Sequence, residues 1–244
     1  MTARRIVIAA SAVVAGVLAI GLGTTLLPVS GMTSGYDTII PGPSSPSTPE
    51  PSTPAPTPTP TAEPLTFAVV GDSISARAGR TGVDQSAGSW TSYAGAADLE
   101  YVDNGWAQNG ATLFEMEANL SAVGADALVI LAGTNDLTGG VPVADRLAIV
   151  GQLADQSGAS RIVISAVPPF DGAPAASTEW NAALADYASA RGWQFVDPWS
   201  TLRTPTGSYI ARFTFDGVHP TVAAAQIVGT VIHAALVEST GVEA

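Results

Sequence analysis

The sequence holds two histidines, His219 and His233, and only His219 has an acid three residues ahead of it. In Asp216-Gly217-Val218-His219-Pro220 the carboxylate can reach the imidazole across a turn closed by proline and fix its tautomer, as a Ser-His-Asp relay requires. Read singly, the segment is equally a turn carrying a surface histidine, because turns favour Asp, Gly and Pro. A hydroxyl for such a relay lies in Gly71-Asp72-Ser73-Ile74-Ser75. Where a strand turns into a helix, a serine points its hydroxyl out of the sheet edge, and the amides of the new helix can hold an anion. Asn104 to Thr112 carries glycines that let a backbone amide approach a substrate, and Gly133-Thr134-Asn135-Asp136 adds a side-chain amide. Each of these turns alone is weak evidence, since turns select the same residues for purely structural reasons.

Their value depends on the elements that carry them. Thr66 to Val70, Glu100 to Val102, Ala127 to Ala132, Ile162 to Val167 and Gln194 to Val196 read as strands. Ala127 to Ala132 is apolar throughout, which implies burial on both faces and a parallel sheet. Stretches near Trp90 to Ala97, Thr112 to Val123, Val143 to Ala154, Thr178 to Ala190 and Thr221 to Glu238 have helical composition. The alternation predicts an α/β fold built as a three-layer α/β/α sandwich. In open α/β sheets ligands bind at the carboxyl ends of the strands, where the first three chemical segments fall; the fourth directly precedes the last helix.

The four segments, in this order, resemble the sequence blocks of the SGNH, or GDSL, hydrolases. Gly71-Asp72-Ser73-Ile74 is similar to the first block; Gly110, Gly133 to Asp136, and Asp216 to Pro220 are similar to the second, third and fifth. The resemblance extends over the domain from Leu65 to Ala244, including the Trp180 to Leu184 helix segment. It implies a flavodoxin-like, five-stranded parallel sheet in the order 2-1-3-4-5 and a serine ester hydrolase without metal or cofactor. In those terms Ser73 is the nucleophile, His219 the base and then the acid, and Asp216 the group that orients His219. The amides of Ser73 and Gly110 and the side-chain amide of Asn135 would hold the oxyanion. Ile74 stands where the family usually has leucine. The second block offers both Gly105 and Gly110; Gly110 is preferred because it opens a Gly-Ala-Thr step like the family's. Asp72 and Asp136 are expected to brace loops and His233 to lie at or near the surface; Trp90, Phe114, Phe170, Trp180, Trp199, Tyr209 and Phe213 are expected mostly in the core, and Trp106 near the substrate.

Composition narrows the alternatives. The chain carries a formal charge of −12 with 9 basic residues, every one an arginine, so a face for binding nucleic acid is not expected. It has no cysteine, hence no disulfide or thiolate site, and its two histidines lack metal-ligand spacing. A G-x-S-x-G elbow would need glycine at Ser75, and a phosphate-binding P-loop needs a lysine the chain lacks. Of the 18 prolines, ten lie between Pro41 and Pro64. Three zones follow: residues 1–31, an export signal; 32–64, a Pro/Ser/Thr-rich stalk; and 65–244, the folded domain.

Arg4 and Arg5 precede the uncharged run Ile6 to Val29, which is long enough for an uncleaved anchor with the N-terminus inside, although cleavage and release stay open. The domain is therefore expected outside the cytoplasm, on the membrane or secreted, as a monomer. A compact domain without a long lid insertion suggests small acyl esters on carbohydrate or cell-envelope material. A lipase or thioesterase of the same family, or a silent binding module on a stalk, is the alternative.

Overall fold

The computed structural model describes Gly42 and residues 63–76, 78–95 and 99–238. The apolar run Ile6 to Val29 and most of the Pro-rich stretch lie outside the described residues. Among the described residues no helix is long and apolar enough to cross a membrane.

Six strands, all parallel, form one sheet: β1 (Leu65–Gly71), β2 (Leu99–Tyr101), β3 (Trp106–Ala107), β4 (Ala127–Leu131), β5 (Arg161–Ser165) and β6 (Gln194–Val196). All five residues of β4 are apolar and buried, a pattern that suits only a central strand covered on both faces. It lies between β1 and β5, with Phe67 opposite Ala127 and Ala127 opposite Arg161. The order β2-β1-β4-β5-β6 is the expected 2-1-3-4-5 path through the five expected strands.

The expected count of five strands needs correction, because β3 adds a sixth. Trp106 and Ala107 pair with Val70 and Gly71, while β2 pairs with Leu65 to Phe67. The other edge of β1 is occupied by β4, so β2 and β3 are two halves of one broken edge strand. The break contains Gly105, whose backbone presses so closely on β1 that a Cβ there would collide with the Val69 carbonyl oxygen.

The helices are α1 (Trp90–Ala94), α2 (Leu113–Asn119), α3 (Val143–Ser157), α4 (Pro174–Ala190) and α5 (Val222–Glu238). Alternation along β1 sorts them into layers. Phe67 and Val69 point into one core with Trp90 of α1 and Val228, Ile232 and Leu236 of α5. Ala68 and Val70 point the other way, toward Leu113 and Met116 of α2, Leu153 of α3 and Trp180 of α4. Each fully buried side chain of this size contributes about 1.5–3 kcal/mol. Outside the two cores, the half-buried Arg203 guanidinium holds Asp197 by two hydrogen bonds of 2.8 Å. The rigid sheet edge that results carries the loops after β1, β3 and β4.

Candidate active site

β1 ends at Gly71, and the chain at once makes a single helical turn in which the amides of Ser75 and Ala76 donate to the Asp72 carbonyl, at 3.0 and 2.9 Å. The fully buried Asp72 carboxylate accepts from the Ile74 amide at 3.0 Å and so clamps the turn from below. Ser73, half-buried, is left at its crest. Burial pushes the Asp72 carboxyl up from 3.8 to about 6, against the pull of the Ile74 amide and the neighbouring Thr134 hydroxyl. That hydroxyl stays outside hydrogen-bond geometry, and Asp72 Oδ2 and Thr134 Oγ1 are both buried and unpaired.

His219 arrives from the other end of the chain on a tight loop between Thr214 and Pro220, which pair as an antiparallel bridge. Inside the loop Thr214 Oγ1 donates to the His219 carbonyl at 2.8 Å, and the Gly217 amide donates to Thr214 Oγ1 at 2.9 Å. The buried Tyr209 supports it from beneath, donating its hydroxyl to the Val218 carbonyl at 3.2 Å. Asp216 Oδ1 accepts from the amides of Val218 and His219, at 3.0 and 2.8 Å, and Oδ2 lies 2.7 Å from His219 Nδ1. Those bonds, led by the His219 amide, hold the Asp216 carboxyl down at about 2. An ionised carboxylate only accepts, so Nδ1 carries the proton and Nε2 is the acceptor. Ser73 Oγ, 146 residues away in sequence, donates to Nε2 at 2.9 Å.

The loops after β3 and β4 are tied to each other. Asn135 donates one N–H of its side-chain amide to the Ala111 carbonyl at 2.9 Å; an amide nitrogen has a second. The Asp136 carboxylate accepts from the Leu113 amide, with its nearer oxygen at 3.1 Å, and caps the start of α2. Thr112 and Glu115 add a reciprocal capping box. Burial raises the Asp136 carboxyl, partly offset by the Leu113 amide and the Arg146 guanidinium. Gly110 sits just before this junction at φ +77°, exposed, with open space where a side chain would be. Gly105, the other glycine offered by the sequence, is instead packed against β1.

The structure thus brings Ser73, His219 and Asp216 into one hydrogen-bonded chain and places Gly110 and Asn135 on the joined loops at the same sheet edge. Asp72 and Asp136 brace loops, as expected. His233 is half-buried on α5 and donates from Nδ1 to the Ala94 carbonyl at 2.9 Å, linking α5 to α1. Trp106 does not line the cavity beside Ser73 but pairs in β3 and packs on the core shared with α2, α3 and α4, and Phe114, expected in the core, is exposed on α2. Two aromatics border the site: the buried Trp90 and, not expected from the sequence, Phe215, which is 74% exposed immediately before Asp216. A cavity of about 310 Å³ opens between it, Ser73 and His219. The only available signal was its position next to that acid, which says nothing about exposure.

A serine hydroxyl hydrogen-bonded to a histidine that a carboxylate orients is the side-chain arrangement of a serine hydrolase, here carried on an α/β/α sandwich. The sequence model of the GDSL-like Lipase/Acylhydrolase family matches residues 69–227, and the chain belongs to that family; it is a carboxylic ester hydrolase. No curated protein matches the chain. Solved structures share its fold. A GDSL-like lipase from Bacteroides thetaiotaomicron is 19% identical with a TM-score of 0.56, covering 73% of this chain and 93% of its own. The carbohydrate acetylesterase Est24 from Sinorhizobium meliloti is 15% identical with a TM-score of 0.53, covering 72% and 99%. A mutant of an acetyl-xylooligosaccharide esterase from Geobacillus is 18% identical with a TM-score of 0.55, covering 73% and 95%.

Proposed function

We propose that Ser73, His219 and Asp216 form a catalytic triad that removes small acyl groups from carbohydrate or cell-envelope esters outside the cytoplasm. The observation that carries the reading is the hydrogen-bonded chain from Ser73 Oγ to His219 Nε2, 2.9 Å, and from His219 Nδ1 to Asp216 Oδ2, 2.7 Å. Ser73 Oγ attacks the ester carbonyl carbon as its proton passes to Nε2. The carbonyl oxygen becomes an oxyanion held by the amides of Ser73 and Gly110 and by the second N–H of Asn135. His219 then returns the proton to the alcohol oxygen, the carbon–oxygen bond breaks, and an acyl-serine remains. Water, deprotonated by His219, releases the carboxylic acid and restores Ser73.

The carbohydrate part of the reading draws on the two carbohydrate esterases among the fold neighbours. Location rests on the sequence: the run Ile6 to Val29 anchors the chain with its N-terminus inside, and the Pro-rich residues 32–64 space the domain from 65 onward away from the membrane. The test is hydrolysis of p-nitrophenyl esters of increasing chain length by wild type and Ser73→Ala. Activity is expected on acetyl and butyryl esters and none above background for the variant. Equal activity in Ser73→Ala refutes the mechanism, and preference for long chains refutes the acyl size. Cell fractionation checks location: recovery in the soluble cytoplasm refutes it, and recovery in the medium replaces the anchor with a cleaved signal.

A further inference from the structure

The cavity beside Ser73 has a definite orientation relative to the chemistry. Its walls come from Ile74 and Ala76 after β1, from residues 84 and 86–90, and from Phe215, His219, Pro220, Val222 and Ala225. None of its lining comes from the loops that hold Gly110 and Asn135. At the tetrahedral carbon the oxyanion faces those loops, while the alcohol oxygen must lie by His219 Nε2 to receive its proton. Whatever is bonded to the alcohol oxygen is therefore delivered to the His219 side, where the cavity is. We propose that this cavity is the seat of the alcohol half of the ester and takes an uncharged sugar ring stacked on Phe215. The proposal rests on the triad reading given above.

Three observations define the occupant. Phe215 and Val222 are 74% and 55% exposed, and these two of the three exposed large apolar side chains among the described residues share one rim. An exposed aromatic face beside a small cavity offers stacking to a flat C–H surface without enclosing a chain. The opposite wall is polar. Asp84 uses Oδ1 to accept from the Ser86 amide at 2.9 Å, which leaves Oδ2, together with the Ser86 hydroxyl, for a ligand's hydroxyl groups. Among the described residues no arginine lines the cavity, and the Asp84 carboxylate on its wall repels a phosphate or uronate alcohol. The volume, about 310 Å³, is at the small end of the range of roughly 300 to 1,000 Å³ for ligand pockets and suits a monosaccharide, not a long acyl chain.

The test varies the alcohol on a fixed acetyl group and adds one longer acyl ester of the same alcohol. Wild type, Phe215→Ala and Phe215→Tyr are compared on an acetylated methyl xyloside, ethyl acetate, ethyl butyrate and acetylcholine. Phe215 is so exposed that its truncation removes little core packing. The ratio of kcat/KM for the xyloside ester over ethyl acetate is expected to fall about three- to tenfold in Phe215→Ala, mainly through KM, and to recover in Phe215→Tyr. A fall in the butyrate-over-acetate ratio instead would place the acyl chain in the cavity and overturn the proposal. A fall confined to acetylcholine would make the cavity a cation site and overturn it too. Unmoved ratios, with wild type hydrolysing both acetates, sink this proposal alone; wild type inert on every ester sinks the triad reading with it.

Discussion

Asp72 is a carboxyl whose ionisation the fold resists, and replacing it with asparagine isolates that cost. Its carboxyl titrates at 3.8 when unperturbed and at about 6 in the fold, chiefly because it is completely buried beneath Ser73. Between those two values the folded protein holds a proton that the unfolded chain has released, so stability falls as pH rises from about 4 to about 6. Above 6 the whole penalty is present, about 3 kcal/mol at the usual conversion of pKa into free energy. Asparagine has the same shape. Its Oδ1 can keep the Ile74 amide, and its Nδ2 would face the Thr134 hydroxyl, where two unpaired oxygens now meet. Asp72→Asn is therefore expected to stabilise the protein by about 1–3 kcal/mol at pH 8, with the gain vanishing near pH 4. Urea unfolding followed by tryptophan fluorescence at several pH values between 4 and 8 measures this. Protonated His219 favours the ionised form of Asp72, so the substitution also removes a charge that favours the imidazolium formed during turnover. A more stable but slower enzyme is the expected pair of results. A gain that does not change with pH, or a loss of stability at pH 8, would refute the account.

The two glycines of the second block should separate cleanly. Gly105→Ala forces a Cβ into the Val69 carbonyl and is expected to lower the melting temperature sharply, whereas Gly110→Ala meets open space and costs about 1–2 kcal/mol for its left-handed backbone while slowing turnover. Comparable melting temperatures for the two variants would contradict this. Asp216→Asn keeps an oxygen for the Val218 and His219 amides but faces Nδ1 with a donor, which favours the wrong imidazole tautomer. The expected loss in kcat is about 10⁴-fold with the fold retained, and a variant within tenfold of wild type would show that Asp216 does not orient His219.

What the sequence could and could not disclose follows from the range of the forces involved. The apolar run of β4 carries its own burial, and from it the parallel sheet and its layers could be read. The strand β3 could not be read, because two residues have no periodicity and are held only by Val70 and Gly71 on another strand. The helical composition near Thr178 to Ala190 misses the first turn of α4, which starts at Pro174, where the missing N–H of a proline costs nothing. The polar residues of the site were legible by type and order, as each occupies a turn whose local chemistry is visible. Phe215 was not, because its exposure depends on the pairing of Thr214 with Pro220.

The same contrast bears on how the site is kept in register. Ser73 and His219 are joined across 146 residues by a single hydrogen bond, so their spacing is set by the packing of β1 and α5 against a shared core. Gly110 and Asn135 are instead fixed to each other locally, by the bonds from Asn135 to Ala111 and from Leu113 to Asp136. Loosening that junction moves the two loops together, so damage there should reach the oxyanion donors as a pair while the bond between Ser73 and His219 persists. In the proposed mechanism the Ser73–His219–Asp216 chain depends on the core beneath α1 and α5, and the Gly110 and Asn135 donors on the core beneath α2, α3 and α4. That mechanism needs both, because the carbon under attack would lie at their meeting point, the end of β1, which belongs to both cores through its alternating side chains.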